Sequence, residues 1–226
     1  MLGTIVNALA VIVGTFVGLL LKKGLPEKIS DVVMKGVALC VLYIGISSSL
    51  AGTNALIAIL SIVVGAVIGS LLDIDRRLNS LGELAERKLS KGDGKTSIAE
   101  GFVSASLLFC VGSMAIVGSI QSGLTGNHEM IYTKSMLDGI SAIIFASTLG
   151  VGVFLSAAAV LVYQGIIVLC AQWVQPFLSD YVVAEMTCVG GLLIIALALN
   201  MLGVTKLKTA NYLPAVFIPI ILCMFM

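Results

Sequence analysis

Few polar side chains sit inside the long apolar runs of this chain, and those few are where chemistry could be done. Asn7, Asp138, Gln164 and the adjacent Ser147 and Thr148 interrupt stretches that otherwise carry almost no charge. An unsatisfied polar group in hydrocarbon is costly, so such residues are binding candidates by default. Asp138 offers a carboxylate able to draw a cation or proton towards Ser147, Thr148 and Gln164; an acid in a first helical turn, favoured by the helix dipole, is the competing explanation. Gln164, near the middle of its apolar run, either contacts a solute or hydrogen-bonds a neighbouring helix. Gly112, Ser113 and Gly118 lie in the small-residue run GFVSASLLFCVGSMAIVGSIQSG (101–123). If that helix unwinds they expose backbone carbonyls to a small cation or solute; otherwise they serve helix packing. Asn7 and Asn200 lie nearer segment ends, where capping or helix contacts explain them.

Other chemistries are absent from the pattern. No apolar run carries a Ser/His, Cys/His or HExxH constellation, and the sole histidine, His128, stands between Asn127 and Glu129 in a polar turn. No enzyme activity, metal or cofactor is therefore expected. The string GDGKTS at 92–97 suggests a phosphate-binding loop, but the required first glycine is replaced by Leu89 and no strand precedes it. Cys40, Cys110, Cys170, Cys188 and Cys223 fall in apolar segments without CxxC pairing and read as small core residues. The basic residues lie at segment ends, not in an aromatic-studded patch, so no nucleic acid partner is expected.

The elements that must position these residues are helices in a bilayer. The 226 residues are 59% hydrophobic and 11% charged, with a mean hydropathy of +1.13, far from the composition of soluble domains. An all-α, polytopic transmembrane bundle is expected, with residues 1–226 forming a single integral membrane domain whose surroundings, the lipid bilayer, are its first partner. Apolar segments at about 2–21, 32–50, 54–72, 98–120, 136–152, 154–171, 183–202 and 209–226 make eight passes; taking 135–172 as one tilted helix makes seven. The charge distribution favours eight. With both termini extracytoplasmic, twelve of the thirteen basic residues become cytoplasmic and only Lys134 lies outside. Residues 73–97 form the main hydrophilic loop, cytoplasmic in this scheme, with Ile74, Leu78, Leu81, Ala85 and Leu89 on one side of a surface helix.

Two segments share a packing device. Ala10, Gly14 and Gly18 in the first, and Ser61, Gly65 and Gly69 in the third, place a small residue at every fourth position. Such seams let helices approach closely, either within one chain or in a homodimer. The hairpins starting MKGVALCVLYIG at Met34 and MTCVGGLLIIAL at Met186 are alike in layout and enter the membrane from opposite sides, as an inverted repeat would.

At FCVGSMAIVGSIQSGL (109–124), KSMLDGISAIIFASTLGVGVFLSA (134–157) and YQG (163–165), the chain resembles the YqgA/YdfK-like family of uncharacterised multi-spanning bacterial inner-membrane proteins, and the resemblance runs over nearly the whole length. It implies a bacterial plasma membrane and assigns no catalytic residue. Two functions follow from the residues: a transporter or channel for a small solute or ion, or a noncatalytic membrane scaffold or partner subunit.

Overall fold

The computed structural model describes residues 1–22, 27–77, 80, 98–110 and 113–225, which are helical almost throughout. The main helices are α1 (Leu2–Lys22), α2 (Glu27–Ser49), α3 (Ala55–Leu71), α4 (Ile98–Cys110), α5 (Ser113–Thr125), α6 (Glu129–Leu149), α7 (Gly152–Leu169) and α8 (Asp180–Met201). The chain closes with a C-terminal arm, a 3-10 stretch (Thr209–Phe217) continued by the short helix Ile218–Leu222. Among the described residues, three helices are long and apolar enough to cross a bilayer alone: Leu2–Leu21, Gly152–Leu169 and Asp180–Met201. A fourth is obtained if Ile98–Cys110 and Met114–Thr125, bent by 60°, count as one span. The result is an all-α membrane protein.

The apolar pattern works in the opposite sense to that of a soluble protein. On α1, Leu2, Ile5, Leu9, Val13, Phe16 and Leu20 recur at helical spacing and are exposed, whereas Thr4, Asn7, Val11 and Thr15 are fully buried on the opposite face. Large apolar side chains face lipid, and small or polar ones face the bundle, because hydrocarbon outside removes the hydrophobic reason to bury them.

Four close pairings organise the bundle. Gly14 meets the backbone of Gly139, and Gly18 meets Ile143 and Ala146, so α1 and α6 run parallel in close contact. Gly152 meets Ile98 and Phe102, while Gly123 meets Val168 and Ala171, which makes α7 parallel to the broken α4–α5 pair. Gly45 lies against Gly191 and Ile195, an antiparallel α2–α8 contact. Gly65 and Gly69 receive Ala215 and Asn211 of the arm, again antiparallel. Both small-residue seams are thus filled from within the chain: Ala10 approaches Gly139 on the first, and Ser61 is fully buried on the second.

Residues 135–172 do not form one tilted helix. α6 ends at Leu149, Gly150 takes φ +80, and α7 begins at Gly152. A side chain resists that left-handed backbone, whereas glycine accepts it. The chain reverses there, so Gln164 returns to the level of Asn7, near the start of α1. α6 also begins at Glu129, well before the expected Met136. Over the helix expected at 101–123, the described pieces α4 and α5 are bent by 60° to one another, and residues 111–112 between them lie outside the described residues. Gly101, Ala105, Ala115, Ser119 and Ser122 of its small face are buried, and Gly112 lies outside the described residues. So does most of the 73–97 loop, of which only residues 73–77 and 80 are described.

Candidate functional site

The central polar cluster is assembled from three helices. Asn7 comes from α1, Asp138 and Lys134 from α6, and Gln164 from α7. The α1–α6 seam brings the first two helices within backbone contact, and the α6–α7 reversal returns the third. Lys134 and Asp138 are four residues apart on one helix, the spacing at which side chains meet. Lys134 Nζ donates to Asp138 Oδ1 at 2.8 Å and Oδ2 at 2.7 Å. Asn7 Nδ2 donates to Asp138 Oδ2 at 3.0 Å and to Gln164 Oε1 at 3.2 Å. Asn7 and Gln164 are fully buried, and Lys134 and Asp138 are each 6% exposed.

The carboxylate orients both amides. Asn7 must turn its N–H groups towards Asp138, which leaves Gln164 facing Asn7 with its oxygen. Consequently Asn7 Oδ1 and Gln164 Nε2 are left buried without partners. Cys110, the last described residue of α4, lies within electrostatic reach of Lys134 and Asp138.

The remaining sequence candidates separate. Asp138 and Gln164 join through Asn7. Ser147 and Thr148 do not take part: nine residues from Asp138 means about 14 Å along α6. Their hydroxyls bond back to their own helix, Ser147 to Ile144 O at 2.7 Å and Thr148 to Phe145 O at 3.0 Å. Gly118 packs α5 against Met130 and Ile131. Gly112 and the side chain of Ser113 are outside the described residues. With α6 starting at Glu129, Asp138 is more than two turns inside its helix, so the first-turn explanation does not apply. His128 shares a 2.7 Å hydrogen bond with Ser122 and stands edge-on to Tyr132.

Sequence reasoning passed over Lys134 as a partner and Glu185 altogether. The i,i+4 spacing would have found the first. The second stands six residues into α8, a lone carboxylate in an apolar span, the signal that singled out Asp138. Glu185 is fully buried. Its Oε1 accepts from Thr53 N at 2.7 Å and Asn54 N at 3.0 Å, closing the α2–α3 turn onto α8, while Oε2 has no partner. At the opposite end of α8 a cavity of about 220 Å³ is bounded by Asp75, Glu100, Ser104, Asn200, Thr209 and apolar neighbours. No group of three or more metal-ligating side chains occurs among the described residues.

Comparison with known proteins places the chain in a family. The chain is 34% identical over 223 residues, 97% of its own length and 94% of the relative's, to the uncharacterized membrane protein YdfK of Bacillus subtilis. It is 30% identical over 220 residues, 96% of its length and 94% of the relative's, to the uncharacterized protein YqgA of Escherichia coli. No solved structure matches it. With residues 2–224 matching the family's model, the chain belongs to the family described as protein of unknown function DUF554.

Proposed function

We propose that this protein carries a small solute or ion across a bacterial plasma membrane, with Asn7, Lys134, Asp138 and Gln164 as its binding centre and no catalytic activity. One observation carries the reading: a Lys–Asp pair and two amides are buried between three helices, although apolar side chains would pack there at no desolvation cost. A scaffold has no use for that expense. The 60° bend between α4 and α5 adds support, since transporters place sites at discontinuous helices.

The pairings support eight membrane segments, counting α4–α5 and the C-terminal arm as one segment each, and the basic-residue distribution adds extracytoplasmic termini. An alternating eight-pass order requires α1 and α6 to be parallel, α4–α5 and α7 to be parallel, and α2–α8 and α3–arm to be antiparallel, and the contacts run in those directions. They also fit an inverted repeat relating α1, α2 and α3 to α7, α8 and the arm, with the α1–α6 pairing answered by that of α7 with α4–α5. Since both glycine seams pack within the chain, they supply no argument for pairing of two copies.

The test is flux. Purified protein in vesicles should show saturable uptake of one member of a small-solute and ion panel, abolished in Asp138→Asn and Gln164→Leu variants that still fold. Uptake across the panel indistinguishable from empty vesicles would favour the scaffold. A reporter fused after Met226 should be active outside the cytoplasm.

A further inference from the structure

Lys134 makes the centre electrically complete without a ligand, and that limits what can enter it. We infer that the centre takes an alkali-metal cation at the Asp138 carboxylate in exchange for the Lys134 ammonium, with Asn7 and Gln164 reversing their amides to receive it. This names the ion for the transport reading above and rests on it for its physiological purpose, though not for the binding itself.

Charge sets the class. A cation added to an intact Lys–Asp pair would leave an uncompensated positive charge in the bundle, which is far costlier than an exchange. A divalent ion would leave one even after the ammonium had gone. Size points the same way, because Asn7 and Gln164 are fully buried and Asp138 and Lys134 nearly so. Lys134 also has somewhere to go: it lies five residues from the start of α6, where a four-carbon stem can carry its ammonium to the membrane surface.

The two unpartnered atoms supply the second half of the argument. With Lys134 in place the chain of bonds runs from Asn7 N–H to Asp138 and to the Gln164 oxygen, leaving Asn7 Oδ1 and Gln164 Nε2 over. A cation on Asp138 reverses what Asn7 should present, since metal ions of this kind want oxygen. Turning Asn7 brings its oxygen to the ion. Turning Gln164 then lets its N–H donate to that same oxygen, so Asn7 Oδ1 and Gln164 Nε2 gain partners in the ion-bound form while Asn7 Nδ2 and Gln164 Oε1 turn into the positions those two atoms left. Half-turns of two amides therefore separate two states of one cluster, each with its own cation.

Thermal unfolding of the detergent-solubilised full chain tests this, with LiCl, NaCl and KCl compared against choline chloride at constant ionic strength. At least one alkali chloride should raise the melting temperature saturably, while MgCl2 should not. In Lys134→Gln the half-saturating concentration should fall by roughly tenfold or more, because a charge in direct contact with the carboxylate no longer competes. Should that variant fail to fold, Lys134→Arg provides the reverse test: a guanidinium gripping both carboxylate oxygens is harder to displace and should raise the half-saturating concentration. The double variant Lys134→Gln/Asp138→Asn, neutral and polar at both positions, should lose the cation effect.

Persistence of the effect in the double variant would overturn the inference. So would its absence from wild type and Lys134→Gln alike, or protection by acid in choline chloride with no alkali effect, which assigns the site to a proton. Asp138-dependent alkali binding without flux in vesicles would retire the transport reading and keep this site. Flux of an organic solute without alkali binding would do the opposite.

Discussion

Two buried carboxylates in this bundle are held by different means. Asp138 is neutralised by a side chain, the ammonium of Lys134, and steadied by an amide from another helix. Glu185 is held by backbone N–H groups at the tip of the α2–α3 hairpin, where the start of α3 gives a fixed positive dipole. Backbone donors cannot leave without unfolding the turn, whereas a lysine can swing away. The difference teaches which site is suited to exchange and which to fastening: the Asp138 centre has a removable partner, and Glu185 clamps α2–α3 onto α8.

That contrast can be broken most forcefully at Asp138. Asp138→Ala strands the Lys134 ammonium and should destabilise the protein by about 3–5 kcal/mol in chemical denaturation from micelles. Replacing the pair together, as Lys134→Met/Asp138→Leu, should be close to neutral in stability and still abolish flux. A comparable loss of stability in the double variant would mean the pair is structural.

Glu185→Leu comes next. It leaves the N–H groups of Thr53 and Asn54 without their acceptor and should cost about 2–4 kcal/mol, at roughly 1–2 kcal/mol for each of these two part-buried donors. Glu185→Gln keeps an acceptor oxygen and should recover most of that loss, because a clamp needs a lone pair and not a charge. If the glutamine variant unfolds as readily as the leucine variant, or keeps its fold but loses flux, Glu185 belongs with the exchanging group.

A smaller effect is expected from the seam that sets Asn7 over Asp138. A methyl group at Gly14 would press on the backbone of Gly139, so Gly14→Ala should cost about 1–3 kcal/mol in the same assay. Its effect on flux should exceed its effect on stability, since parting α1 from α6 lengthens the Asn7–Asp138 bond. Ser147→Ala should change stability by less than about 0.5 kcal/mol and leave flux intact, because its hydroxyl only bonds back to Ile144. A flux defect there would return Ser147 and Thr148 to the site.

The polar group of the site was partly legible from residue type. Asp138, Asn7 and Gln164 announce themselves as polar groups in apolar runs, because the penalty for such groups in hydrocarbon is a local property of each residue. Lys134 was hidden by being read as a surface charge outside the membrane. The early start of α6 at Glu129 draws it into the bundle beside Asp138. Ser147 and Thr148 looked equivalent to Gln164 in composition, yet a hydroxyl can satisfy itself on its own helix and a glutamine amide cannot. Proximity along the chain was the wrong guide to which polar residues meet.

Composition and periodicity by themselves determined the all-α membrane character and the small-residue seams, because burial of backbone polar groups in lipid leaves a helix as the form such apolar segments take. Even the reversal near residue 150 was readable, since glycines concentrate where the backbone must turn. What only the tertiary structure decided is which face meets which: that Gly14 and Gly18 receive α6, that Gly65 and Gly69 receive the C-terminal arm, and that residues 7, 138 and 164 share one level. In lipid every apolar surface is nearly as content as any other, so partner choice comes from close van der Waals fit and a few hydrogen bonds. Those are properties of pairs of helices, and no single segment carries them.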